Sequence, residues 1–117
     1  MSLYLIENKK KVLLTKKVVH HKNIFSKGTG LMFHKKIVDE AHIFHFKKPQ
    51  KISLTMFFVF FPIDVIFLKE NKVIEVKENF KPFTNYKSYA EADVFIELPK
   101  GFIDKKKIVT GTKIIFD

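Results

Sequence analysis

Between Ile52 and Leu68 the chain runs for 17 residues without a lysine, although lysine supplies 22 of its 117 residues. Such a stretch has to be buried, in a membrane or in a protein core. A membrane-spanning helix needs ~20 apolar residues, and this run is interrupted by Ser53, Thr55, Pro62 and Asp64. Its β-branched and aromatic residues fit strands buried in a globular core. The expectation is a mainly-β domain with no membrane span.

The rest of the chain carries short apolar runs separated by turn residues. Leu3–Ile6 and Val12–Thr15 read as a hairpin across Asn8 to Lys11, with Lys17–His20 continuing the second strand. His42–Phe46 and Ile52–Phe57 read as two strands separated by Lys47, Lys48, Pro49 and Gln50. Ile63–Leu68, apolar on both faces apart from Asp64, reads as a central strand. Glu70 and Asn71 make a tight turn into Lys72–Lys77. Asp93–Leu98 is a further strand, Gly101–Lys107 a short helix or turn, and Lys113–Phe116 a closing strand. Asn23 suits a helix N-cap, and Ile24, Phe25, Gly28, Leu31 and Met32 share one helical face, so one principal helix is expected over Asn23–His34. The fold class is mainly β (α+β): a compact sandwich or barrel of roughly seven to eight short strands with one principal helix, as a single domain over residues 1–117.

Cysteine is absent, which excludes disulfides, thiol nucleophiles, Cys-ligated zinc and iron–sulfur clusters. Charge is distributed unevenly. Residues 1–58 hold 12 Lys against Glu7, Asp39 and Glu40, a net of 12 − 3 = +9, whereas residues 59–117 hold 10 Lys against 9 acids, a net of +1. Lys9, Lys10, Lys11, Lys16, Lys17, Lys22 and Lys27 are therefore candidate anion-binding residues for a polyanion. Arginine is absent, so each contact would be a point charge. The apolar run from Met1 to Glu7 is too short for a secretory signal, and a cytoplasmic location is expected.

Four stretches are similar to the DUF192 family, a set of small domains of unknown function. Gly30-Leu31-Met32-Phe33 resembles the family's Gly-Leu-Met-Phe/Tyr motif, and Pro62-Ile63-Asp64-Val65-Ile66-Phe67 its Pro-Leu-Asp-Ile-Leu-Phe strand. Glu78-Asn79-Phe80-Lys81-Pro82 resembles the segment after the next strand, and Glu97-Leu98-Pro99-Lys100-Gly101 its Glu-Leu-Pro-Ala-Gly. The family's Trp-Met-Lys-Asn-Thr is replaced here by a run in which only Met56 is kept, followed by Phe57, Phe58 and Val59. His34 stands where the family has arginine, and Gly111-Thr112 where it has Gly-Asp. The resemblance implies a fold and assigns no activity.

Asp64 is the most informative polar residue, because a carboxylate in an apolar strand is costly to bury without hydrogen bonds or a cation. Functionally it would bind a ligand in a pocket with Met56, Met32 and Glu97. Structurally it would accept backbone amides from a neighbouring loop, and this second reading is favoured. His42 and His45 fall on opposite faces of a strand, and His20 and His21 likewise, so neither pair chelates locally. No metal or cofactor is expected. Lys27-Gly28-Thr29-Gly30 lacks the ending of a phosphate loop, and no nucleophile–base–oxyanion constellation is visible. The cluster Phe57 to Phe61 reads as core, or as a protein-binding surface if half of it faces outward. The preferred function is a non-enzymatic binding or scaffold domain. The alternative is a small-ligand-binding protein or enzyme with a pocket around Asp64.

Overall fold

The structure, a computed structural model, describes residues 2–21, 39–56 and 60–116. The strands are β1 (Leu3–Glu7), β2 (Lys10–Thr15), β3 (Lys17–His21), β4 (Glu40–Thr55), β5 (Ile63–Lys69), β6 (Lys72–Phe80), β7 (Asn85–Pro99) and β8 (Lys113–Phe116). One helix, α1 (Phe102–Lys105), lies between β7 and β8. The helix expected over Asn23–His34 falls outside the described residues.

All eight strands form one sheet in the order β2-β1-β8-β6-β5-β7-β4-β3. Its two end strands, β2 and β3, are separated in the chain by Lys16 alone. Across two virtual bonds, Thr15 and Lys17 cannot lie more than about 7.6 Å apart. The sheet must therefore roll until its ends almost meet, and the expected barrel-like curvature follows from connectivity. Lys17–His21 does not extend the hairpin as the sequence suggested. It leaves β2 at the corner and pairs in parallel with β4, from Lys17 opposite Glu40 to His21 opposite Phe44.

Two two-residue turns close the tight hairpins. Asn8 (φ 51°) and Lys9 (φ 64°) join β1 to β2, while Glu70 (φ 53°) and Asn71 (φ 65°) join β5 to β6. Positive φ at both turn residues matches the right-handed twist of the flanking strands. Two boundaries differ from expectation. His42–Phe46 and Ile52–Phe57 belong to the single strand β4, whose pairing with β7 is irregular between His45 and Gln50. Pro49 sits in that irregularity, where its missing N–H interrupts no ladder bond. Asp93–Leu98 is likewise only the end of β7, because Asn85–Ala92 pairs with the distal part of β4. Glu75 on β6 pins this extension by accepting from the Tyr89 amide at 2.8 Å, the Ala90 amide at 2.9 Å and the Tyr86 hydroxyl.

β5 is buried on both faces, as its apolar sequence demands. Ile66 and Leu68 join Leu5, Ile43, Ile96 and Ile114 in one cluster, while Val65 and Phe67 join Phe44, Met56, Phe80 and Phe95 in another. The first draws on strands from both ends of the sheet order and on Phe102 of α1, so it fills the interior of the roll. The second covers the outer face of β4 to β7. Among the described residues no helix is long and apolar enough to cross a membrane.

Candidate functional site

Asp64 is 1% exposed and points to the interior face of β5 with Ile66 and Leu68. Its Oδ1 accepts the Asn79 amide at 2.9 Å, and its Oδ2 accepts the amides of Gly101 and Ile103, each at 3.0 Å. The last two open α1, whose N-cap, Gly101, supplies no side-chain cap. The carboxylate thus does from across the sheet what a capping side chain does locally. Both oxygens are engaged by backbone.

The other residues grouped with Asp64 do not gather around it. Glu97 pairs with Val65 on one side and His42 on the other, which puts its side chain on the outer face, opposite Asp64. Met56, 1% exposed, belongs to the outer cluster. Met32 lies outside the described residues. Glu97 is 4% exposed, and its Oε1 has no hydrogen-bond partner among the described residues. Burial pushes its carboxyl pKa up to about 8, so at neutral pH it is mostly a neutral acid.

The histidines sit on opposite faces within each strand, yet the parallel β3–β4 pairing brings them together across strands. His20 Nδ1 lies 3.0 Å from His45 Nε2, and His21 Nε2 lies 3.0 Å from His42 Nδ1. At each contact one ring donates and the other accepts. His21 stacks on Phe44 at 4.3 Å, and Phe44 on Phe95 at 4.5 Å. No group of three or more metal-ligating side chains is arranged to hold an ion among the described residues.

A concavity lies where the β2–β3 corner meets α1. It is an open groove of about 1080 Å³ walled by Leu13 to Lys17 on one side and by Pro99, Phe102, Lys105 and Lys106 on the other. Lys106 Nζ is 6.0 Å from the centroid of the Phe102 ring. Asp39 is the carboxylate on this lining, against four lysines. Its carbonyl accepts the Thr15 hydroxyl at 2.6 Å, tying the chain before β4 to the corner. Lys17 pairs with Glu40 at 3.3 Å, so part of its charge is compensated.

Of the seven lysines singled out by sequence, Lys16 and Lys17 reach this groove. Lys9, Lys10 and Lys11 stand at the other end of β2, roughly 17 Å or more along the chain from Lys16. Lys22 and Lys27 lie outside the described residues. Lys105 and Lys106 were missed because the second half of the chain is nearly neutral. The run Lys105-Lys106-Lys107 after Gly101 was the available signal. Phe57, Phe58 and Val59 lie outside the described residues. Phe61 is buried, whereas Phe60 is exposed and meets Phe83 edge-on at 5.4 Å.

The DUF192 family model, described as "uncharacterized ACR", matches residues 6–116. Two solved structures share the fold. A protein of unknown function from Novosphingobium aromaticivorans DSM 12444 superposes with a TM-score of 0.86 at 18% identity, covering 99% of this chain and 84% of that one. A protein from Sinorhizobium meliloti 1021, described as "a putative transcription regulator", superposes with a TM-score of 0.85 at 19% identity, covering 97% and 90%. No curated protein matches the chain.

Proposed function

The chain belongs to the DUF192 family, described as uncharacterized, and from that premise we propose that it is a non-enzymatic binding module for an anionic partner. The observation that carries this reading is the groove in which Lys16 and Lys17 from one end of the chain face Lys105 and Lys106 from the other. Leu13, Leu14, Pro99 and Phe102 give the same groove an apolar wall, so a bound anion exchanges part of its water shell for a low-dielectric surface. Asp64, the candidate for chemistry, already accepts three backbone amides. A pocket reading centred on it would require those amides to be released. A cytoplasmic location is part of the proposal.

The test is binding of linear polyphosphate to the wild type and to a Lys16→Ala, Lys105→Ala, Lys106→Ala variant of unchanged melting temperature. A loss of affinity of roughly tenfold or more is expected on removing three charges. Equal affinity in the two proteins would sink the reading.

A further inference from the structure

Among the described residues, β3 takes its strand pairing from β4 alone. Two imidazole pairs cross that pairing in adjacent register, one on each face of the sheet. His20 Nδ1 lies 3.0 Å from His45 Nε2 on the interior face, and His21 Nε2 lies 3.0 Å from His42 Nδ1 on the outer face. The ring planes are 17° and 23° from parallel with centroids 5.3 Å apart, so in each pair the rings meet edge to edge across the N–N contact. Such a contact has a proton limit. With no added proton, or with one, a ring nitrogen donates and its partner accepts. With both rings charged every nitrogen is a donor, and the contact sets donor against donor and charge against charge.

The surroundings of the two pairs differ. Phe116 of β8 lies 5.4 Å from His20 and 5.6 Å from His45, and Val94 stands opposite His45 on β7, so neither neighbour brings a charge. Lys47, the next charged residue along β4, is exposed. His20 Nε2 is buried with no hydrogen-bond partner among the described residues, so a proton placed there finds no acceptor. On the outer face, Glu40 Oε1 of β4 is 3.7 Å from His42 Nε2, Glu97 of β7 stands opposite His42, and Lys17 of β3 pairs with Glu40 at 3.3 Å. Glu40 favours one proton on His42, which can then face Glu40 and donate to His21 at once. The second would fall on His21, stacked on Phe44 at 4.3 Å.

We propose that the two histidine pairs form an acid-released latch on β3: each pair holds with at most one added proton, and the second frees the strand from β4. The freed strand binds more protons than the latched one, so falling pH favours release, over the range in which histidine ordinarily titrates. Release involves β3 and β4 alone, whatever the groove binds.

The test is amide hydrogen exchange followed by NMR from about pH 7.5 to 5, corrected for the intrinsic exchange rate, with imidazole ¹⁵N shifts counting the protons on each pair. Protection of the β3 amides that pair with β4 is expected to fall at least roughly tenfold while that of Ile66 and Phe67 on β5 holds, since each excess proton makes release about tenfold easier per pH unit. The fall should accompany the second proton on a pair. In a His20→Asn, His21→Gln variant each pair keeps one titratable ring, and the amide can accept from its charged partner, so β3 should stay protected throughout. Constant protection of β3 in the wild type overturns the latch, as does an equal fall at β5 or a fall that accompanies the first proton. An equal fall in the variant overturns it too. If the variant does not fold, the order of proton uptake and β3 exposure in the wild type decides alone.

Discussion

The amide of Gly101, at the start of α1, donates a 3.0 Å hydrogen bond to the Asp64 carboxylate on β5. Gly101 has a φ of +90° and Asn79, the partner of the other carboxylate oxygen, a φ of +50°. Two chain segments in left-handed conformations are thus held by one buried side chain. The lysine groove depends on this arrangement, since Phe102 and Lys105 stand on the helix that Asp64 anchors and Lys106 is its C-cap.

Asp64→Ala leaves three amides without their acceptor and is expected to cost ~1–3 kcal/mol or more. Asp64→Asn keeps one acceptor oxygen but turns an NH₂ group towards donors, so it should also lose stability. Denaturant midpoints of both variants against the wild type decide it. If both match or exceed the wild type, Asp64 is held for a ligand and the pocket alternative advances.

Gly101→Ala tests the backbone half of the same contact. A Cβ at this position meets nothing within 4 Å, so the penalty is conformational alone. It should amount to about 1–2 kcal/mol for a left-handed residue, and Gly101→Asn should cost less, because asparagine tolerates that region. A thermal melt with alanine as stable as glycine would contradict a left-handed Gly101.

How much of this was legible beforehand depended on whether the deciding interaction was local. The hairpin at Glu70-Asn71 and the doubly buried β5 follow from turn chemistry and apolar runs, and both were readable. Asp64 announced itself as a carboxylate among Ile and Val. Asn85–Ala92 did not read as a strand, since its mixture of polar, small and aromatic residues has no strong alternation. It is extended because the tail of β4 and the Glu75 carboxylate hold it. The histidine contacts were hidden for a related reason. Strand periodicity separates His42 from His45, and nothing local reveals that β3 will lie parallel to β4. The groove joins residues some ninety positions apart, and near-neutrality of the second half masked Lys105 and Lys106.

Binding in the groove should depend steeply on salt and be blind to base sequence. With Lys17 partly compensated by Glu40, three lysines act fully, and a single-stranded oligonucleotide probe should show a log–log salt slope of about −2. Lys105→Ala should flatten the slope by about 0.7. Lysine cannot make the bidentate guanine contact, so oligonucleotides of different sequence should bind alike. Affinity unchanged between low and moderate salt would exclude the charge-based account.

Glu97 makes the protein's stability depend on pH in an unusual direction for a carboxylate. Burial holds its folded pKa at about 8, against 4.5 for an ordinary glutamate. Below both values the folded and unfolded chains each carry the proton, and the group costs nothing. Between them the unfolded chain has released a proton that the folded chain still holds, so stability falls as pH rises through this window and levels off above about 8. Glu97→Gln removes the titration while preserving shape. The variant should match the wild type near pH 4.5 and exceed it by a few kcal/mol, as an order of magnitude, above pH 8. The difference between the two proteins isolates Glu97 from the other carboxylates, which titrate in both. Urea melts across this range read it directly. A difference that stays constant from pH 4.5 to 8 would mean that Glu97 ionises normally and has a cationic or hydrogen-bonding partner.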